Sequence, residues 1–174
     1  LYALWHFGRD LPDYRQLATY EPATMTRVHA GDGRLLAEFA TEKRVFVPID
    51  PIPKHVIAAF LASEDAEFYT HPGVNILSVF RAALQNVEHY ASDKRPVGAS
   101  TITQQVAKNF LLTNEVSISR KVKEAILAFR LDRTYSKDRI LELYLNEIYL
   151  GYGSYGVTAA ALNYFNRSLP ELTI

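Results

Sequence analysis

The sequence contains no cysteine, which excludes disulfides and thiolate metal sites; the absence fits an oxidising compartment without demanding one. It has no run of about 18 apolar residues, so no segment spans a bilayer by itself as a helix. It has no glycine-rich phosphate loop of either nucleotide-binding type, so a nucleotide donor is not expected. There is no internal repeat and no low-complexity tract. Charge of one sign is also lacking, because 19 Lys and Arg balance 19 Asp and Glu. No nucleic-acid partner is expected from such a chain.

What is present suits a folded domain. Of the 174 residues, 48% are hydrophobic and 22% charged, enough for a buried core and too polar for immersion in lipid. One or two domains are expected at this length. The opening "LYALWHFG" reads either as the exit end of a transmembrane helix or as an ordinary first strand. The closing "SLPELTI" starts like a helix, with Ser168 as cap and Pro170 in the first turn, and suggests a piece of a longer protein.

The zero net charge conceals an uneven layout. Residues 1–93 carry a net of −4, while residues 94–124 hold six Lys or Arg against two Glu. Local cation excess without global basicity points to an anionic small ligand or headgroup.

Residues 24–48 read as β: "TRVHA" and "RLLAEF" flank a "GDG" turn, and "RVFVPI" follows as a third short strand. The prolines of "PIPK" mark a boundary, after which the pattern is helical. Helices are expected over 54–67, 75–90, through "GASTITQQVAKNF", and over 118–133, 137–149 and 156–166. "ASDKRPVG" reads as a mobile loop. The division expected is a membrane-proximal linker and hairpin region over 1–50 and a helical domain over 51–174.

Three stretches carry chemistry. In "GASTITQQVAKNF", Ile102, Val106 and Phe110 form an apolar stripe, while Ser100, Thr101, Gln104, Gln105 and Lys108 make a polar face with no carboxylate. In "ASEDAEFYTHPG", Glu64, Asp65 and Glu67 crowd a helix C-terminus, where the macrodipole disfavours negative charge. Glu64 borders the apolar stripe of its helix, so partial burial is expected; a buried carboxylate there would have a raised pKa and could act as a base. A solvated acidic helix end is the plainer explanation, and it suits Glu67. His71 lacks a second metal ligand at suitable spacing, and a loop-fixing hydrogen bond is its expected role.

In "SRKVKEAILAFRLD", Val122, Ala125, Ile126 and Phe129 are expected to face the core. Arg120 and Glu124 are spaced for an i,i+4 ion pair, which leaves Lys121 and Lys123 unexplained. Two separate glutamates, a group of cations, and amide and hydroxyl donors together suit displacement of a phosphate leaving group. Two carboxylates alone would instead suggest glycoside hydrolysis. The residues by themselves therefore reach glycosyl or phosphoryl transfer. Hydrolysis and a non-catalytic docking module remain as alternatives.

"EDAEFYTHPG", "GASTITQQVAKN", "RKVKE", "KDRILELYLNEIYLG" and "YGVTAAALNYF", in that order, resemble the five motifs of the peptidoglycan glycosyltransferase domain, glycosyltransferase family 51. That domain occurs in class A penicillin-binding proteins and monofunctional transglycosylases. The lead-in "LPDYRQLATYEPATMTRV" is similar to that of bifunctional class A proteins of the 1a kind in Gram-negative bacteria. The resemblance implies a mainly α, lysozyme-like fold with a small N-terminal β region. It implies polymerisation of lipid II into β-1,4-linked glycan strands, with release of undecaprenyl pyrophosphate, at the periplasmic face of the bacterial inner membrane. The membrane anchor and any transpeptidase domain would lie outside this chain, which also lacks the "S-x-x-K" nucleophile motif.

Carried over by motif, Glu64 matches the general base and Glu124 a second essential glutamate near the donor pyrophosphate. Lys108, Arg120, Lys121 and Lys123 match the cations around it. Ser100, Thr101, Gln104, Gln105 and Asn109 match polar groups of the cleft, and Asp65, Phe68 and His71 complete the first motif. Arg95 is a looser match to a basic residue of the mobile loop. Asp132 departs from the Glu found in many members. The partners implied are lipid II, the growing strand, the membrane surface and other cell wall synthesis proteins. No cofactor is required by the resemblance, and Mg²⁺ at the donor pyrophosphate is left open.

Overall fold

A computed structural model describes residues 7–20, 26–32, 35–39, 43–81, 100–113, 115 and 117–173. Most of the "LYALWHFG" stub, Gly33 of the turn, the later part of the second helix and the "ASDKRPVG" loop with Arg95 lie outside them.

The fold is mainly α, with short strands ahead of the helices. A 3₁₀ turn at Tyr14–Ala18 precedes β1 (Thr26–His29) and β2 (Leu35–Phe39), which pair antiparallel with an irregularity between Val28 and His29. β3 (Lys43–Arg44) pairs in parallel with β4 (Ser154–Tyr155). The helices are α1 (Lys54–Glu64), α2 (76–81), α3 (Ile102–Leu111), α4 (Ile118–Thr134), α5 (Lys137–Glu147) and α6 (Val157–Phe165).

Local chemistry accounts for most of the ends. Pro53 cannot donate, but its carbonyl accepts from Val56 and Ile57 and so opens α1. Thr101 and Gln104 form a reciprocal capping box on α3. Ser117 caps α4 by accepting from Arg120 N–H at 3.1 Å, and Ser136 caps α5 by accepting from Arg139 N–H at 3.2 Å. After α6, "SLPE" closes as a 3₁₀ turn, Leu169–Glu171, under its own capping box of Ser168 and Glu171.

Two departures from the sequence reading have clear causes. The third strand, expected through "RVFVPI", stops at Arg44 because side chains take over its backbone partners. Asn146 accepts from Val47 N–H and donates to Val47 C=O, both at 2.8 Å, and Glu142 accepts from Ile49 N–H at 2.9 Å. Helix α1 ends at Glu64 rather than at residue 67 because the backbone tightens into successive turns, with Phe68 N–H donating to Asp65 C=O at 3.0 Å and Thr70 N–H to Glu67 C=O at 2.9 Å.

The chain divides into two compact units, residues 1–14 with 59–140 and residues 15–58 with 141–174, and the divisions fall inside α1 and α5. In the second unit the core gathers Leu17, Leu143, Tyr144, Leu145, Ala159, Ala161 and Leu169. Gly156, at φ 80°, lies so near the chain at Asn146 that a Cβ would meet its carbonyl oxygen at 2.7 Å.

In the first unit α3 packs against α4 around Phe68, Ile102, Val106, Leu127, Ala128 and Leu131. The inward stripe of α4 is therefore Glu124, Leu127, Ala128 and Leu131, not the expected Val122, Ala125, Ile126 and Phe129. Both sets keep helical spacing; the helix is turned so that the second faces outward, and Phe129 is 43% exposed. Glu124 can occupy a core stripe because it brings its own cations, as its contacts show.

Candidate active site

The first unit alone assembles the site. Glu64 is the last residue of α1 and is exposed, against the expectation of partial burial. Its Oε2 accepts from Gln105 Nε2 at 2.9 Å. It stands at a polar pocket of 240 Å³ whose walls include Glu67, Asn75, Ser78, Arg81 and Ser100.

Asp65 resolves the conflict between acidic residues and the C-terminal end of α1. Its side chain leaves that end and faces the N-terminus of α3, where Oδ2 accepts from Ile102 N–H at 3.0 Å. A carboxylate is disfavoured at the first position and stabilised at the second by the same dipole. His71 Nε2 lies 2.9 and 3.0 Å from the two Asp65 oxygens, so the histidine fixes the loop as expected. The His71 carbonyl accepts from Lys137 Nζ at 2.7 Å, and that ammonium sits 4.7 Å from the centre of the Phe68 ring and pairs with Asp132. Phe68 is 1% exposed, so it supports this loop from the core and does not line the pocket.

Gly73 then brings the loop against α4. At φ 82° it approaches so closely that a Cβ would meet the Ala128 carbonyl oxygen at 2.4 Å. Its own carbonyl accepts from Thr101 Oγ1 at 2.6 Å. Thr101 and Gln104 are both 3% exposed and spend their polar atoms on this contact and the capping box. Of the neutral face, then, Ser100 and Gln105 keep polar atoms toward the site, Thr101 lines the pocket with its hydroxyl spent on Gly73, and Lys108 and Asn109 are exposed further along α3.

Glu124 is 1% exposed. Its Oε2 accepts from an Arg120 guanidinium nitrogen at 2.7 Å, the pair anticipated from spacing, and its Oε1 pairs with Lys121. Lys121 Nζ also donates to Ser100 Oγ at 2.7 Å, which ties the cation cluster to the N-terminus of α3. Lys123 forms no ion pair among the described residues and neighbours the cluster at Arg120. It lines a separate pocket of 350 Å³ with Asp10, Glu115, Ser119 and Arg120.

Several residues at the site lie outside the sequence motifs or carry no chemical signal of their own. Asn75 Nδ2 donates to Glu67 Oε2 at 2.6 Å while its Oδ1 accepts from Ser78 N–H at 3.0 Å. An Asn just before an apolar helical run is a cap signal that could have found it. Arg81 on the pocket wall and Lys137 behind the loop had no local signal. Tyr69, beside this loop, donates to Asp138 Oδ1 at 3.1 Å; burial, then that bond and the nearby carboxylate charge, push its phenol above the usual tyrosine range.

The arrangement offers an accessible carboxylate held by an amide, polar groups beside it, and a buried carboxylate that organises Arg120 and Lys121. That set can accept a proton at one place and neutralise a leaving anion at another.

Comparison with known proteins agrees with this chemistry. The transglycosylase family matches residues 32–174. The chain is 57% identical to penicillin-binding protein 1A of Rickettsia felis over 99% of its own length and 22% of the relative's. It is 46% identical to penicillin-binding protein 1A of Aquifex aeolicus, covering 95% of this chain and 22% of that one. With the protein of that name from Escherichia coli K12 it shares 43% identity, over 100% of this chain and 20% of the other. The chain thus spans about a fifth of the length of the curated relatives it matches.

Proposed function

This chain belongs to the transglycosylase family, the peptidoglycan glycosyltransferases of cell wall synthesis, and from that premise we propose that it joins lipid II units into β-1,4-linked glycan strands, releasing undecaprenyl pyrophosphate. One observation carries the reading: an exposed glutamate, Glu64, is held by Gln105 of α3, and Ser100, just ahead of that helix, is bonded to the Lys121–Glu124 cluster.

Glu64 accepts the proton of the acceptor sugar's 4-hydroxyl as that oxygen attacks the anomeric carbon of the donor. The bond to the pyrophosphate breaks on the opposite face, and its electrons leave with the phosphate oxygen. Lys121, Arg120 and Lys108 stabilise the charge that gathers there. An α-linked donor attacked once gives a β-linked product, so one inverting displacement suffices. Asp65, His71 and Thr101 do not touch substrate in this scheme; they hold the loop and the α3 N-terminus at which the two reactants meet. The reading allows Mg²⁺ on the donor pyrophosphate, and turnover with and without EDTA decides it.

The setting that goes with this reaction is the periplasmic face of the bacterial inner membrane. Among the described residues no helix is long and apolar enough to cross a membrane. Ile76, Leu77 and Phe80 of α2 are 74%, 73% and 68% exposed, an apolar surface beside the pocket that suits a substrate held in a bilayer. Other cell wall synthesis proteins are the partners this reading allows.

The test is incubation of the chain with lipid II in detergent, or with preformed glycan, followed by sizing of the products. Long strands from lipid II support the proposal. Shortening of preformed glycan without polymerisation overturns it.

A further inference from the structure

The outward stripe of α4 carries the inference. Ile118 is 86% exposed and Phe129 43% exposed, and with Val122 and Ile126 they floor a groove of 770 Å³. Among the described residues no carboxylate lines it, and Tyr14 and Lys121 are part of its walls. Its far end carries Arg130 and Arg133, and Arg133 lies over the Phe129 ring at 5.4 Å. Among the described residues neither guanidinium is paired with a carboxylate.

We propose that this face binds an anionic phospholipid, with an acyl chain along the apolar stripe and the phosphate on Arg130 and Arg133. An apolar track with Lys121 beside one end and two guanidiniums at the other is complementary to an anionic amphiphile, its phosphate on the paired arginines. The methylene stems of the arginines cover apolar surface while their charged ends reach the headgroup layer, as long basic side chains do at membrane interfaces. The groove reaches Lys121 at its Ile118 end, the lining residue it shares with the cation cluster of the proposed reaction, while Arg130 and Arg133 have no role in that scheme. It lies on α4, apart from the exposed face of α2, and names a lipid class where the reaction scheme names only a membrane surface.

The test is co-sedimentation of the 174-residue chain with phosphatidylcholine vesicles and with vesicles containing phosphatidylglycerol, at low and high salt. Wild-type chain binds the phosphatidylglycerol vesicles more tightly, and the preference fades at 0.5 M salt, a condition of the assay. The double variant Arg130→Gln, Arg133→Gln loses about 30-fold in affinity for the anionic vesicles and keeps its affinity for the neutral ones. Arg130→Lys, Arg133→Lys retains most of the preference, which separates charge from misfolding, and circular dichroism confirms that each variant is folded. Ile118→Asp weakens binding to both vesicle types. Millimolar glycerol 3-phosphate fails to release the bound chain, because the acyl contact is missing from it. Equal binding of wild type and the glutamine double variant to anionic vesicles would overturn the proposal. So would a concentration-dependent dimer that Ile118→Asp dissolves, since a second copy would then fill the groove. The readout needs no lipid II, so its failure is independent of the reaction scheme.

Discussion

Gln105 Nε2 donates to Glu64 Oε2 at 2.9 Å, across 41 positions of sequence. Three residues before Gln105, the N–H of Ile102 donates to Asp65, the neighbour of Glu64. The end of α1 is therefore held to the first turn of α3 by two consecutive carboxylates, one buried and structural, one exposed and available for chemistry.

Replacing Glu64 by Gln lowers polymerisation of lipid II by about 10²–10⁴-fold, the usual contribution of a general base. The side chain is exposed, so the melting temperature stays within about 2 °C of wild type. Donor affinity measured by direct titration is unchanged. Near-normal turnover would sink the assignment. Gln105→Ala costs about tenfold in turnover, the worth of one hydrogen bond to a charged group.

Glu124→Gln behaves differently, because its carboxylate is buried against Arg120 and Lys121. Removing that charge destabilises the fold by about 3 kcal/mol. Thermal unfolding then falls by about 6–12 °C for a chain of this size. Lys121→Met costs less stability, since its side chain is 47% exposed.

Lys108→Ala and Lys123→Ala part company. Lys108 is exposed on α3, and its loss weakens binding of the pyrophosphate-bearing donor by about tenfold. Lys123 lines the pocket with Asp10 and Glu115, and its loss changes that affinity by less than about twofold. Direct titration of the two variants with lipid II checks the contrast.

Gly73→Ala forces a Cβ toward the Ala128 carbonyl at a positive φ. The close contact and the strain together cost roughly 3 kcal/mol, read as a shift in the denaturant midpoint. The loop that carries His71 moves with it, so activity falls more steeply than stability.

Tyr69 gives a pH signature. Its phenol is raised above the ordinary value, so its contribution to stability is present below about pH 10 and is lost as pH rises through the folded pKa. Tyr69→Phe removes that alkaline loss. Unfolding curves between pH 9 and 12 for the two proteins converge at the upper end of the range if the assignment holds.

Much of this site was legible from local signals. Pro53, Ser117 and Ser136 open their helices where the sequence reading put them, because a cap depends on groups within three residues of itself. The Arg120–Glu124 pair followed from spacing. The rotation of α4 did not. Two sets of residues on that helix have proper helical periodicity, and counting apolar side chains favours Val122, Ala125, Ile126 and Phe129. The inward set includes a glutamate, which hydropathy excludes and two cations permit.

The sequence by itself determined the order of motifs, the starts of α1, α4 and α5, and the residue types able to move a proton and hold a phosphate. These depend on neighbours along the chain. Only the tertiary structure decided that Glu64 is open while Glu124 is closed, that Thr101 and Gln104 are spent on holding α3, and that Lys123 stands apart from Lys121. Burial of a polar group depends on partners that arrive from elsewhere in the chain, such as Gly73 for Thr101 and Ile102 for Asp65, and no local pattern records them.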